Sequence, residues 1–204
     1  MSFTPTDPNR FESALRRFDE ENSFDPNMEH ADGVSRPREL VYAQWLSDWV
    51  LKLSPEASEA LRLAARSQHL CRWEVPRSKY PMTRAGYLQW REGLKKFHAE
   101  KSGKILREVG YSEAIVERVQ SLNLKKTFPQ DPETRVLEDA LCLVFLERQF
   151  SELASKTDED KMINVLQKSW KKMTPAAQKF ALELSYGPTE KRLLEKALKH
   201  KSEP

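Results

Sequence analysis

One 24-residue stretch of the chain concentrates the side chains that could bind and process an anion. It runs from Gln68 to Arg91 and holds one histidine, four arginines, two tryptophans and two tyrosines. Arginine offers planar, bidentate donors to phosphate or carboxylate, and the aromatic rings offer stacking faces. The stretch therefore predicts a site for an anionic ligand. Our candidate ligand-binding residues, in the stretch or just before it, are Arg66, Arg72, Trp73, Arg77, Lys79, Arg84 and Arg91.

His69 is the candidate general base of this stretch. Arg66 and Arg72 lie three residues before and after it, so a helix through this region would place all three on one face. A cationic surrounding lowers the pKa of a histidine and keeps the imidazole neutral, which is the form that accepts a proton or binds a metal. The alternative is a histidine held by hydrogen bonds in a structural network.

Two acidic residues, Glu138 and Asp139, interrupt an apolar run from Val136 to Leu146. A helix that is apolar almost all round is typical of a central position, and a buried carboxylate is costly unless it is paired or metal-bound. The expected partner is an arginine or histidine in one interpretation and a metal in the other. We take His69 and Asp139 as a catalytic pair that meets in one cleft, with Glu138 as an auxiliary base.

The positive charge of the chain is concentrated in one block. Residues 1–61 carry 6 Lys/Arg and 12 Asp/Glu, residues 62–107 carry 12 and 3, and residues 108–204 carry 16 of each. A local positive potential attracts anions. The alternative is that this block pairs with the acidic N-terminal region, and it applies equally to Arg77, Lys79 and Arg84, in or beside the loop between Pro76 and Pro81.

Composition and motifs exclude several classes of protein. No apolar run approaches the roughly 20 residues that a membrane span needs, and the segment from Met1 to Arg17 lacks the apolar core of a signal peptide. We therefore expect a cytoplasmic protein with no membrane partner. The sequence has no P-loop, GxGxxG, HExxH or GxSxG motif, which sets aside P-loop, Rossmann and serine hydrolase functions.

Apolar residues recur at helical spacing through most of the chain, which predicts an all-α fold of eight or nine helices. The polar segment 22–34 is predicted to be a loop, and His98 lies at the border of an apolar stripe, where a surface position is the more frequent outcome. We expect one domain, with an N-terminal helix and loop over 1–34, a core over 35–150 and further helices over 151–204. Predicted helix starts are Asp7-Pro8, Ser35, Ser54-Pro55, Thr83, Ser112, Pro132, Thr157, Thr174-Pro175 and Thr189.

The run from Gln68 to Arg91, with the segment LEDALCLVFLE at 137–147, resembles a bacterial and fungal family known as domain of unknown function family 4202. The resemblance spans residues 10–150. Some members of that family carry the label glutamyl-tRNA synthetase, but this sequence has neither the HIGH-type nor the KMSKS-type signature of those enzymes.

The order of histidine and acidic residues is also similar to that of the HD-domain superfamily of helical, metal-dependent phosphohydrolases. The resemblance places His69 on the helix of the family's His-Asp pair, His98 in the region of an optional histidine and Asp139 on the distal aspartate helix. Leu70 stands where the aspartate of the pair would be, and Glu39 is the nearest ligand to the place of the first histidine. The resemblance implies an HD-like fold and a divalent metal, with His69, His98, Asp139 and Glu39 as candidate ligands.

The sequence thus predicts a hydrolase that acts on a phosphorylated small molecule or nucleotide in a basic, aromatic cleft. The alternative is a non-catalytic module that binds RNA or a nucleotide, because aromatic rings stack on bases and arginines hold phosphates without any reaction. A third interpretation is a scaffold that binds a protein partner through tryptophan and arginine anchors.

Overall fold

A computed structural model describes residues 3–199 of the chain. This part of the chain contains ten α-helices and a single two-stranded hairpin, so the predicted all-α class is confirmed in its main feature, with one or two helices more than expected. Among the described residues, no helix is both long and apolar enough to cross a bilayer. The chain divides into two compact units between Thr134 and Arg135, and the prediction of one domain over 1–204 stays a prediction.

The first unit contains most of the predicted site. Its elements are α1 (Pro8–Ser23), β1 (Met28–Ala31), β2 (Val34–Pro37), α2 (Arg38–Leu53), α3 (Glu59–Ser67), α4 (Arg84–Glu108) and α5 (Glu113–Leu124). Two short 3-10 turns, Arg72–Glu74 and Arg77–Lys79, connect α3 to α4. The helix α6 (Pro132–Val144) begins at the end of this unit.

The second unit is helical throughout its described part. After α6 come a π-helical turn (Phe145–Gln149) and the helices α7 (Phe150–Ser155), α8 (Glu159–Lys172), α9 (Pro175–Glu183) and α10 (Pro188–Lys199). The helix predicted to start at Pro132 is therefore regular only as far as Val144, where the π turn follows it.

Side-chain caps are present at three of the predicted helix starts. The side chains of Asp7, Thr83 and Thr174 each accept a hydrogen bond from a backbone N–H three residues later, at the starts of α1, α4 and α9. The predicted start at Ser54-Pro55 is wrong: Ser54 ends α2, since its N–H donates to the Val50 carbonyl, and Ser58 caps α3 instead.

The segment predicted as a loop over 22–34 contains a hairpin instead. Strands β1 and β2 are antiparallel, with Ala31 opposite Val34, and the two residues between them, Asp32 and Gly33, both have positive φ. An Asp-Gly pair in this conformation forms the tight turn that joins twisted antiparallel strands. The predicted cap Ser35 lies in β2, and the strands were missed because each is only four residues long and, of their residues, only Ala31 is buried.

The core of the first unit lies where α2, α3, α4 and α5 pack together, with α1 against α2, α3 and α4. Its fully buried side chains include Leu46, Leu61, Leu106 and Leu122. A polar layer crosses this interior, where the Asn123 amide donates to the hydroxyls of Ser67 and Ser102.

Candidate functional site

The site begins at the turn that follows α3. The helix ends at Ser67, and Cys71 takes a left-handed backbone conformation, with φ of 53°. The Cys71 N–H donates to the Asn22 side chain at 3.0 Å, which helps to hold this unfavourable conformation. The turn, rather than a continuous helix face, brings the Arg72 guanidinium to 3.3 Å from His69 Nε2.

Glu39, at the start of α2, faces the other nitrogen of the same imidazole. Its Oε2 lies 3.4 Å from His69 Nδ1, and its Oε1 lies 4.0 Å from Arg72 Nε. Because arginine can only donate, Nε2 of His69 must accept from Arg72, which leaves the ring proton on Nδ1. This nitrogen lies on the side of Glu39, whose buried Oε2 makes no hydrogen bond within residues 3–199. The geometry therefore fixes the tautomer that keeps the Nε2 lone pair on the arginine side.

Tyr42 and His98 complete the surroundings of this imidazole. The Tyr42 ring stacks on His69 with ring centroids 4.2 Å apart and planes 16° apart. The His98 ring centroid lies 5.9 Å from that of His69. Tyr42 was missed by sequence reasoning, although it lies three residues after Glu39 and so shares its helix face. Five residues form this group, the His69 cluster: Glu39, Tyr42, His69, Arg72 and His98.

Positive charges surround the His69 imidazole. Burial is the largest cause that holds its pKa well below the usual value, followed by the charges of Arg72, Lys125 and Arg91. His69 is therefore neutral at physiological pH, as the sequence predicted for a histidine among arginines. Lys125, in a left-handed conformation at the end of α5, was missed because no local pattern connects it to a histidine 56 residues earlier.

The carboxyl group of Glu39 is also shifted toward its neutral form. Burial raises its pKa to about 7, a shift that the charge of Arg72 opposes and that of Asp25 reinforces. Its backbone N–H donates to Asp25 Oδ2 at 3.0 Å, so the start of α2 is held firmly. Glu39 can change its charge near neutral pH while facing His69.

His98 is buried, with 2% of its surface exposed. The surface position that the sequence favoured for this histidine is therefore wrong. Its Nδ1 lies 2.9 Å from the Leu70 carbonyl, which can only accept, so Nδ1 carries the ring proton. Its Nε2 is buried and has no hydrogen-bond partner within residues 3–199. Burial, reinforced by the nearby His69 and Arg72, lowers the pKa of His98 to about 3.

The other predicted basic residues mostly have protein partners. Arg66 forms a bidentate ion pair with Asp19, at 2.6 Å for each bond, which is the pairing with the acidic N-terminal region that was the alternative. Arg77 donates to the carbonyls of Tyr80, Pro81 and Thr83, and Lys79 donates to that of Glu74. Arg84 and Arg91 are exposed, and Trp73 is half-buried.

The predicted carboxylates Glu138 and Asp139 are buried in the second unit. Glu138 forms an ion pair with Lys172 at 2.8 Å. Asp139 accepts from both the backbone N–H and the hydroxyl of Thr174, at 2.9 and 2.5 Å, and Thr174 is the residue that caps α9. These carboxylates are held by a lysine and a helix cap, where the sequence predicted an arginine, a histidine or a metal.

The comparisons with known proteins give one match. A family model described as Domain of unknown function (DUF4202) matches residues 12–194. The chain belongs to this family. No curated protein and no solved structure matches it. The DUF4202 match covers both compact units and every residue of the His69 cluster.

The metal-ligand candidates in this DUF4202 chain do not form a ligand set. No group of three or more His, Cys, Asp and Glu side chains in the described part of the chain could hold a metal ion. The His69 Nε2 lone pair faces the Arg72 cation, and the Asp139 carboxylate is engaged by Thr174. A catalytic metal usually needs three protein ligands with free lone pairs, so the donors present do not fit one.

Proposed function

We propose that this chain hydrolyses a phosphorylated small molecule or nucleotide at the His69 cluster. The observation that carries the proposal is the placement of the His69 imidazole, with a buried carboxyl oxygen 3.4 Å from Nδ1 and a guanidinium nitrogen 3.3 Å from Nε2. A base oriented by an acid and placed beside a fixed cation is suited to activate water next to a bound anion.

Anion binding is assigned to the cations around His69. The Arg72 side chain is 33% exposed, so its guanidinium can reach a ligand in solvent. Arg91 is exposed, and its charge and that of Lys125 act on the same imidazole. Phosphate oxygens that accept from Arg72 would take its hydrogen bonds away from His69 and free the Nε2 lone pair.

The reaction then needs only water, solvent protons and groups of this chain. His69 Nε2 accepts a proton from water while the water oxygen bonds to phosphorus and the ester P–O bond breaks. The leaving oxygen takes a proton from solvent, and the imidazolium later releases its proton to solvent. Glu39, facing Nδ1–H, stabilises the transient imidazolium as a carboxylate, and the arginines neutralise charge that develops on the phosphoryl oxygens.

The HD-like scaffold forms part of the same proposal. It is supported by the helical first unit and by the position of His69 directly after α3, with His98 beside it. The proposed reaction nevertheless differs from the metal-dependent chemistry of that superfamily, since the donors described here do not form a ligand set.

The test is release of inorganic phosphate from a panel of nucleoside monophosphates and sugar phosphates. For any substrate that the wild type hydrolyses, His69→Asn is expected to lower kcat at least about 100-fold, which is the lower end for loss of a general base. Arg72→Gln is expected to raise KM about tenfold, since a charge-assisted contact is lost.

Lys104→Gln is the matched control for the lost positive charge. Lys104 lies on α4, in the same unit as Arg72, and 78% of its side chain is exposed, beside Glu108. The Lys104→Gln substitution should leave both kcat and KM unchanged. Wild-type turnover in His69→Asn would overturn the catalytic assignment. Tight binding of panel compounds with no phosphate release by the wild type would overturn hydrolysis in favour of the non-catalytic binding module.

A further inference from the structure

The His69 cluster continues into a row of aromatic and cationic groups that leads to the surface. The Arg72 guanidinium, which contacts His69, lies 5.1 Å from the centroid of the Trp90 ring. The Trp90 ring lies 5.9 Å from that of Tyr87, with planes 46° apart. The two rings therefore extend the site from the imidazole along the first turns of α4.

Within this row, Trp90 is held by contacts with the protein, and Tyr87 is the ring that is exposed to solvent. The Trp90 indole N–H donates to the Val75 carbonyl at 2.8 Å, and Arg72 lies over its ring, so its position is fixed from two sides. Tyr87 is 42% exposed, which leaves part of its ring open to a second planar group. A fixed neighbour lowers the entropy that Tyr87 loses when a ligand stacks on it.

Arg91 joins the exposed ring to the proposed phosphate site. It lies one turn after Tyr87 on α4, with its guanidinium 5.9 Å from the centroid of that ring. Its positive charge is also close enough to His69 to lower the pKa of the imidazole. A ligand with a phosphate at one end and a planar ring at the other would contact Arg91 along its length.

We infer that the phosphorylated ligand is a mononucleotide whose base stacks on Tyr87 while its phosphate lies between Arg72 and Arg91. The inference rests on the proposed function for the position of the phosphate. A base–aromatic contact is tolerant of base identity because every base has a π-face. The site therefore selects nucleotides over sugar phosphates, with little preference among the four bases.

The test compares two ligands with the same ribose and the same 5′-phosphate. Adenosine 5′-monophosphate is expected to bind the full-length protein about tenfold more tightly than ribose 5-phosphate in calorimetry, which is at the low end for one stacked base. Tyr87→Ala should remove this tenfold advantage and leave ribose 5-phosphate affinity unchanged, whereas Tyr87→Phe should keep it.

Leu88→Ala is the matched control, since Leu88 is the next residue on α4 and is 57% exposed; it should not alter either affinity. Equal binding of the two ligands, insensitive to Tyr87→Ala, would overturn the stacking inference while the phosphate site stands. Failure of both ligands to bind would overturn the proposed function itself. A short RNA that binds far more tightly than the mononucleotide, in a Tyr87-dependent way, would overturn the choice of a mononucleotide.

Discussion

At the scale of single residues, the His69 cluster combines groups whose charges oppose one another. Burial favours the neutral form of Glu39, His69 and His98 alike. The three groups differ in what faces them, because Arg72 favours a charged Glu39 but a neutral His69. The consequence is a site in which Glu39 changes its charge near neutral pH beside a histidine that stays neutral.

The buried His98 predicts that acid destabilises the protein. In the unfolded chain its pKa is near 6.5, and in the fold burial lowers it to about 3. Between these values the unfolded state binds more protons, so stability falls as pH drops. At pH 5 this one residue would account for a loss of about 2 kcal/mol relative to pH 7.5.

His98→Gln provides the measurement, because glutamine can still donate to the Leu70 carbonyl and does not titrate. The free energy of unfolding, from urea denaturation at pH 7.5 and pH 5.0, is expected to fall by about 2 kcal/mol more in the wild type than in the variant. His69 and Glu39 are present in both proteins, so their contributions to the change in unfolding free energy cancel in the comparison to a first approximation. Equal losses would mean that His98 is not buried as a neutral group.

At the scale of elements, some helix starts are held only by a neighbouring side chain, and others depend also on a side chain that is distant in sequence. Thr83 caps α4 by itself, and a local pattern was enough to predict it. Thr174 caps α9 but is itself held by Asp139, 35 residues earlier. A buried carboxylate that holds a cap makes the start of α9 depend on α6.

Asp139→Ala is therefore expected to lower the free energy of unfolding by about 2–3 kcal/mol, because it leaves two donors of Thr174 without their acceptor. Adding Thr174→Ala should cost less than the sum of the two single changes, since both belong to one network. Asp158→Ala, at the cap of α8, is the control and should cost about 1 kcal/mol.

Thermal and chemical denaturation measure these differences. An Asp139→Ala variant with unchanged stability and abolished phosphate release would instead support the catalytic role that the sequence suggested for Asp139. An additive double variant would show that Asp139 and Thr174 act independently.

At the scale of the whole molecule, part of the positive block at 62–107 is paired with acidic side chains of the first unit. Arg66 pairs with Asp19, and Lys101 contacts both Glu21 and Glu74. Arg77 is used to hold loop carbonyls. What the block offers to a ligand is therefore the set of cations around His69 together with exposed residues such as Arg84, rather than all twelve of its positive charges.

The predicted salt dependence follows from the number of cations close to His69, which are Arg72, Arg91 and Lys125. Binding of a nucleoside monophosphate should weaken with salt, with a slope of log affinity against log salt no steeper than about −3, since three cations are involved. Fluorescence or calorimetric titrations from 50 to 300 mM salt would measure it. A slope of about −6 or steeper, with a 12-nucleotide RNA as the tighter ligand, would contradict the small-ligand interpretation and indicate an extended nucleic-acid surface.

The sequence by itself determined the features that depend on neighbours along the chain. Helical spacing, the caps at Asp7, Thr83 and Thr174, and the concentration of arginines around His69 could all be read from short segments. The close approach of His69 and Arg72 was also predicted, although a left-handed turn at Cys71 produces it rather than a helix face.

Only the tertiary structure decided which of these residues form the site. Glu39 lies 30 positions before His69 and Lys125 lies 56 positions after it, so no local period relates them. The pairing of Arg66 with Asp19, the burial of His98 and the partners of Asp139 likewise depend on how helices pack. The physical reason is that the charge state and reach of a side chain depend on distance and on exclusion of water, and both are set by contacts between segments that are distant in sequence.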